Sequence, residues 1–97
     1  MKVELSTQVL NFVRRQAPEP RRNLRQALRG LAAERGDIKT LEGPLNGYQR
    51  LRVGPFRIVF AYAVAPGRPT CIRCVFAERR DLVYTVFRKM LEQRLLE

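Results

Sequence analysis

The sequence predicts an α+β fold in the order β-α-α-β-β-β-α: a small, mainly antiparallel sheet with a helix pair on one face and a C-terminal helix. Three observations carry that prediction. Apolar residues recur at helical spacing from Leu24 to Ala32, alternating segments parted by Gly and Pro fill the middle of the chain, and a broad apolar arc returns from Val83 onward. The chain has 97 residues, 45% hydrophobic and 29% charged, which makes one domain, residues 1–97, and not a disordered tail.

Each element has a local cause. Lys2-Val3-Glu4-Leu5 alternates as a short strand, and Ser6 or Thr7 then offers a cap for a helix whose apolar face is Val9, Leu10, Phe12 and Val13. Pro18 and Pro20 interrupt it. From about Arg21 to Arg35, Leu24, Ala27, Leu28, Leu31 and Ala32 form one stripe, with Arg21, Arg22, Arg25 and Arg29 on the remaining surface and Gly36 ending the helix. Those arginines are read as a solvated face or a partner contact. Residues 37–47 read as a connecting loop, rich in turn formers. Tyr48 to Val53 and Phe56 to Tyr62 form a hairpin about Gly54-Pro55, and a looser loop at 65–69 leads to a strand from Thr70 to Arg79. Asp81 is placed to cap a last helix from Leu82 to about Leu96. Its arc of Val83, Val86, Phe87, Met90, Leu91 and Leu95 is wide enough to require cover from the sheet or from a partner.

Composition narrows the chemistry. There is no histidine, which removes the Ser-His-Asp triad, the Cys-His dyad, histidine–zinc sites and paired-histidine ribonuclease chemistry; any catalysis runs on Arg, Lys, Tyr, Glu or Asp. Cys71 and Cys74 have the Cys-x-x-Cys spacing, but in a β-rich stretch where alternation turns the two thiols to opposite faces, so packing thiols are the simpler reading than a metal or redox pair. No run reaches the roughly 18–20 apolar residues that cross a bilayer, and Met1 to Leu5 does not resemble a signal peptide, so a cytoplasmic protein is expected. Nineteen Lys+Arg against nine Asp+Glu give a net charge of +10, which favours polyanions and nucleic acid first.

Strand alternation predicts where that charge points. Arg50 and Arg52 share one face of their strand, Arg57 stands opposite Phe56, Ile58 and Phe60, and Arg73 and Arg79 share a face against Ile72, Cys74 and Phe76. If the register aligns them, Arg50, Arg52, Arg57, Arg73 and Arg79 converge on the sheet surface away from the helix pair. No acidic residue lies between Pro44 and Arg73 to neutralise them. The result is either a phosphate-binding platform or the water-facing side of an antiparallel sheet.

Four segments together resemble the RelE/ParE toxin superfamily over nearly the whole chain. They are Gly36-Asp37-Ile38-Lys39-Thr40-Leu41-Glu42-Gly43, Gly47-Tyr48-Gln49-Arg50-Leu51-Arg52-Val53-Gly54, Phe56-Arg57-Ile58-Val59-Phe60 and Arg79-Arg80-Asp81-Leu82-Val83-Tyr84. The resemblance implies a RelE-like toxin of a type II toxin–antitoxin system, which cleaves messenger RNA in the ribosomal A site without a metal or other cofactor. The ribose 2′-hydroxyl attacks the adjacent phosphate, leaving a 2′,3′-cyclic phosphate and a 5′-hydroxyl. The implied partners are an acidic cognate antitoxin and a ribosome holding A-site message, with no membrane and no small-molecule substrate. Relatives resembling ParE share the scaffold but inhibit DNA gyrase without nuclease activity, and that is the alternative.

Matched position by position, the resemblance makes Arg57 the arginine that holds the scissile phosphate and Arg79 the one that stabilises the transition state or leaving group. Tyr84 becomes the tyrosine that stacks on or orients a base. Arg50, Arg52, Arg73 and Arg80 are the expected RNA-binding arginines around them. Arg50 and Arg52 stand where RelE has two lysines, one a candidate general base. A guanidinium, with a pKa above about 12, is a poor proton acceptor; either another group is the base, with Glu42, Glu78 or Lys39 conceivable, or electrostatics and ribosomal RNA do most of the work.

Overall fold

In chain order the elements are β1 (Lys2–Leu5), α1 (Thr7–Arg14), α2 (Pro18–Leu31), β2 (Asp37–Thr40), β3 (Gln49–Val53), β4 (Phe56–Ala65), β5 (Arg68–Arg79) and α3 (Val83–Leu96), with a 3-10 turn at Gly43–Leu45. This computed structural model describes residues 1–96; Glu97 and the side chains of Ala65, Arg68, Pro69, Leu95 and Leu96 lie outside the described set. The strands form one five-stranded sheet in the order β1-β5-β4-β3-β2. Only β1 pairs in parallel, with β5; the other three pairings are antiparallel. Among the described residues no helix is long and apolar enough to cross a membrane.

The predicted α+β order stands, with one strand added. Asp37 to Thr40, read from sequence as loop, pairs with β3 as an edge strand, Asp37 opposite Arg52 and Lys39 opposite Arg50. Its single apolar residue, Ile38, packs against the core and supplies the only hydrophobic reason for the strand. The second helix also begins earlier than expected. Pro18 and Pro20 open it, because proline lacks the N–H that the first helical turn leaves unpaired and already holds a helical φ. It ends at Leu31, short of Arg35. The Arg35 N–H reaches Gly30 O at 3.0 Å and the Glu34 N–H reaches Leu31 O at 2.8 Å, the paired bonds of a Schellman turn. Glu34 occupies the left-handed position at φ 55°, and its Oε1 is tied down by the Tyr62 hydroxyl at 2.9 Å.

Ser6 caps α1 as predicted: its Oγ accepts the Val9 N–H and donates to Val75 O, both at 3.2 Å. Such a cap contributes about 1 kcal/mol. Where β1 stops at Leu5, the Gln8 amide continues its role on the edge of β5. Gln8 Nε2 donates to Ala77 O at 2.7 Å and Gln8 Oε1 accepts the Ala77 N–H at 2.8 Å. A β-bulge lies beside this graft. Val59 pairs with Phe76 and Phe60 with Cys74, so Val75 has no partner on β4.

The bulge resets strand parity, and it corrects the predicted faces of β5. Ile72, Cys74 and Ala77 join the core beneath α1 and α2, with Leu24, Leu28, Leu31, Ile58 and Phe60. Phe76 instead faces the opposite side and packs with Val59, Leu45, Val83 and Phe87. The sheet therefore has two cores. Phe87 lies 5.7 Å from Phe76 in a stacked arrangement and 5.0 Å from Tyr48 edge to face. Cover for the last helix thus comes from the sheet, which buries Val83 and Phe87 and leaves Val86 38% exposed; Leu95, on the same predicted arc, lies outside the described side chains. The helix begins at Val83, so Asp81 stands two residues ahead of it and its carboxylate faces Arg79 across 3.9 Å. Cys71 and Cys74 are free and buried, at β5 positions of opposite parity.

Two glycines are required by geometry. Gly54, at φ +55°, takes the first position of the two-residue hairpin turn between Val53 and Phe56, where a positive φ matches the strand twist. Gly36 is held at φ +120°, and a Cβ there would lie 2.7 Å from Leu51 Cδ1. Leu51 is 1% exposed and has no room to retreat. Gly36→Ala is expected to destabilise the fold by about 2 kcal/mol or more, through backbone strain and overpacking together. Urea unfolding checks this; an unchanged midpoint would show that the β2 entry relaxes freely.

Two groups predict an alkaline limit to stability. Burial pushes the Cys74 thiol up to about 12. Burial, then the hydrogen bond to Glu34 and its charge, raise the Tyr62 hydroxyl above its ordinary value. Both hold protons in the folded state that the unfolded chain releases sooner. Their stabilisation is complete below about pH 8.5 and is lost as pH rises toward about 12. Melting temperature followed from pH 8 to 12 should fall for the wild type and fall less for Cys74→Ala. Parallel curves would remove the thiol as a cause.

Candidate functional site

Cross-strand register brings one row of charges together on the face away from α1 and α2. Asp37 of β2 stands opposite Arg52 of β3, Arg52 opposite Arg57 of β4, and Arg57 opposite Glu78 of β5. The next row is Lys39, Arg50, Val59 and Phe76, where α3 begins to cover the sheet. The uncovered charged row is thus bounded on one side by an aromatic core. Like charges directly opposite on adjacent strands destabilise a sheet. The Arg52–Arg57 pair breaks that local rule at the centre of the hairpin, and such breaks concentrate where function requires them.

The predicted convergence of five arginines is corrected in part. Arg50, Arg52 and Arg57 share the face. Arg73 is on the same face but nearer the β1 side, where its Nε donates to Glu4 Oε2 at 3.3 Å. Arg79 has the opposite parity, paired with Phe56, because the Val75 bulge shifts the alternation between the two arginines. It stands at the end of β5, and its backbone N–H donates to Glu78 Oε1 at 2.9 Å. Arg80 follows immediately, its N–H donating to Pro55 O at 2.9 Å across the hairpin turn.

No acid within the hairpin neutralises its arginines, but one arrives from outside it. Asp37, brought in by β2, lies 3.1 Å from Arg50 and 4.0 Å from Arg52. Arg50 donates to both the backbone oxygen and Oδ1 of Asp37 and is only 15% exposed, so it pins the edge strand. Sequence reasoning passed over Asp37 because it lay within an assumed loop. The signal present was the lone Ile38 between polar neighbours, the alternation of a short edge strand.

Arg57 differs from the rest. Among the described residues Arg50, Arg52, Arg73 and Arg79 each have a carboxylate within 4.0 Å, and Arg57 has none. Its Nη1 donates to Gly54 O at 2.8 Å and Phe56 O at 2.9 Å, which fixes the guanidinium beside the turn. Partial burial lowers its pKa, and Arg52, Arg50 and Arg80 lower it further while Tyr84 opposes them. Arg57 remains a cation, but one whose surroundings favour an added anion.

Tyr84, on the first turn of α3, is half-buried against the second core and within electrostatic reach of Arg57. It lines a groove of about 320 Å³ with Glu42, Pro44 and Leu45 on one side and Thr85, Arg88, Lys89 and Glu92 on the other. The conceivable bases are dispersed. Glu78 is directly across from Arg57, Glu42 is on the groove wall, and Lys39 is opposite Arg50 on the edge strand. Among the described residues no group of His, Cys, Asp and Glu is arranged to hold a metal ion.

No protein-family model matches the chain. No curated protein matches it in sequence. Solved structures do match in chain path. The YoeB/ParE toxin from Agrobacterium tumefaciens superposes with a TM-score of 0.65 at 16% identity, covering 82% of this chain and 99% of that one. The RelBE2 toxin–antitoxin complex from Mycobacterium tuberculosis gives 0.64 at 17% identity, covering 81% and 96%. The RelB–RelE antitoxin–toxin complex from Methanococcus jannaschii gives 0.62 at 18% identity, covering 87% and 98%. With its five-stranded mixed sheet between a helix pair and a C-terminal helix, the protein has the RelE/ParE-type toxin fold.

Proposed function

We propose that the protein is the toxin of a type II toxin–antitoxin pair and cleaves messenger RNA on the ribosome. The observation that carries this reading is Arg57, which among the described residues has no carboxylate within 4.0 Å, is set directly against Arg52 and lies within electrostatic reach of Tyr84. An RNA phosphate entering there meets a guanidinium already oriented by two carbonyls, and two cations that repel one another until an anion arrives. The 2′-hydroxyl oxygen attacks the adjacent phosphorus, and the bond from phosphorus to the 5′ oxygen breaks. The products are a 2′,3′-cyclic phosphate and a 5′-hydroxyl. Arg57 stabilises the negative charge that builds on the phosphorane, where fixed donors act most strongly. Arg80, whose charge acts on Arg57, serves the flanking phosphate, and Arg79, of opposite parity but at the exposed end of β5, is assigned to the leaving oxygen by swinging round the strand end. Tyr84 orients a base, and the groove beside it has room for one. Glu78 is the best-placed acceptor for the 2′-hydroxyl proton, because it alone of the three carboxylate and amine candidates faces Arg57 across the sheet.

An acidic antitoxin segment is the implied partner, neutralising the arginine row and seating apolar side chains beside α3, where Leu82 and Val86 are exposed. The test is a translating extract supplied with the purified protein. New 5′-hydroxyl ends within codons support the reading. Intact message together with arrested gyrase supercoiling would replace it with gyrase inhibition.

A further inference from the structure

The helix-pair side of the sheet carries a second concentration of charge that the proposed site does not use. Arg21, Arg22, Arg25 and Arg29 of α2 line one shallow depression of about 280 Å³ together with Pro18. The helix directs Leu24, Leu28 and Leu31 into the core, so these arginines occupy the other side of the cylinder. Arg22, Arg25 and Arg29 are exposed and Arg21 is half-buried. Glu19 is the only acidic residue on α2. Among the described residues none of the four arginines pairs with a carboxylate or spends its guanidinium on a hydrogen bond, although other arginines of the chain do both.

Their geometry selects a ligand. From Arg21 to Arg29 the helix rises about 12 Å, long enough to lay several guanidinia along a run of successive backbone phosphates. No aromatic side chain stands on α2, so nothing there can stack on an unpaired base. A surface of guanidinia without rings reads backbone and shape, as proteins do on double-helical RNA, whose bases are already stacked inside. The proposed Arg57 site is the converse case, with the Tyr84 ring within electrostatic reach.

We infer that the α2 arginine line is a separate docking surface for the phosphate backbone of double-helical RNA, independent of the site that meets the cleaved strand. The choice of RNA over DNA rests on the proposed function; the existence of a second phosphate surface does not.

The test uses the full chain, a blunt RNA hairpin, a duplex DNA of the same sequence and an unstructured RNA oligomer, with binding read by fluorescence anisotropy over a salt series. Replacing Arg22, Arg25 and Arg29 together by Gln should weaken hairpin binding by about 30-fold at 0.1 M salt and flatten the log–log salt slope by about 2 to 3. The same three positions as Lys should keep both affinity and slope, because charge and not fork geometry is required. Arg94→Gln, an exposed arginine of α3 outside both surfaces, should bind the hairpin as the wild type does, and because the readout is binding alone it holds whether or not the wild type cleaves message. Wild-type hairpin affinity in the Gln variant would overturn the inference. So would an equal loss on the unstructured oligomer, which would make the two surfaces one, and so would tighter binding of the DNA duplex than of the RNA.

Discussion

Arg57→Ala is expected to abolish message cleavage while leaving the fold intact. The side chain stands on the sheet face outside both cores, and among the described residues its hydrogen bonds go to the Gly54 and Phe56 carbonyls at the hairpin turn. Removing it also relieves the repulsion with Arg52 across the strand pair. The change in stability should therefore stay within about 1 kcal/mol. The loss in rate should be far larger, because a fixed donor at a developing oxyanion is worth about 10²–10³-fold. Lysine at the same position should recover a fraction, keeping the charge and losing the planar fork. Cleavage is read by mapping 5′ ends on translated message, and folding by thermal denaturation. Wild-type cleavage by Arg57→Ala would remove this residue from the chemistry.

Phe87→Ala is expected to cost about 3–5 kcal/mol, a large part of the roughly 5–15 kcal/mol that holds a domain together. Phe87 is 2% exposed and joins α3 to the sheet by stacking on Phe76 and meeting Tyr48 edge to face. Its loss opens a cavity in the smaller of the two cores and loosens the helix that carries Tyr84. At the preceding residue on the same predicted arc, Val86→Ala should change stability by no more than about 0.5 kcal/mol, since that side chain is 38% exposed and belongs to neither core. Urea midpoints for the two variants check the contrast. Equal effects would show that α3 is not anchored by its aromatic contact.

Local rules made much of this protein legible. The Ser6 cap, the stripe from Leu24 to Leu31 and the Gly54-Pro55 hairpin each follow from a residue's own chemistry or from a period within one element. The outward placement of Arg50, Arg52 and Arg57 was legible for the same reason, since β3 and the part of β4 that carries them keep unbroken alternation. Pro18 misled because the residue that breaks a helix interior also starts one, and only the preceding Ala17 conformation decides which.

What the sequence by itself determined is the fold class, the segments that face a core, and the residue types able to meet a phosphate in a chain without histidine. Tertiary structure decided which charges remain free. Asp37 becomes a partner of Arg50 only when β2 pairs with β3, and Arg73 and Arg79 part company only because Val75 is left unpaired between Val59 and Phe60 on the neighbouring strand. Periodicity within one strand carries no information about its neighbour's register, and a one-residue bulge inverts every later side chain. The neighbours of Arg57, Arg52 on one side and Glu78 on the other, are likewise set by two interfaces that no single segment encodes.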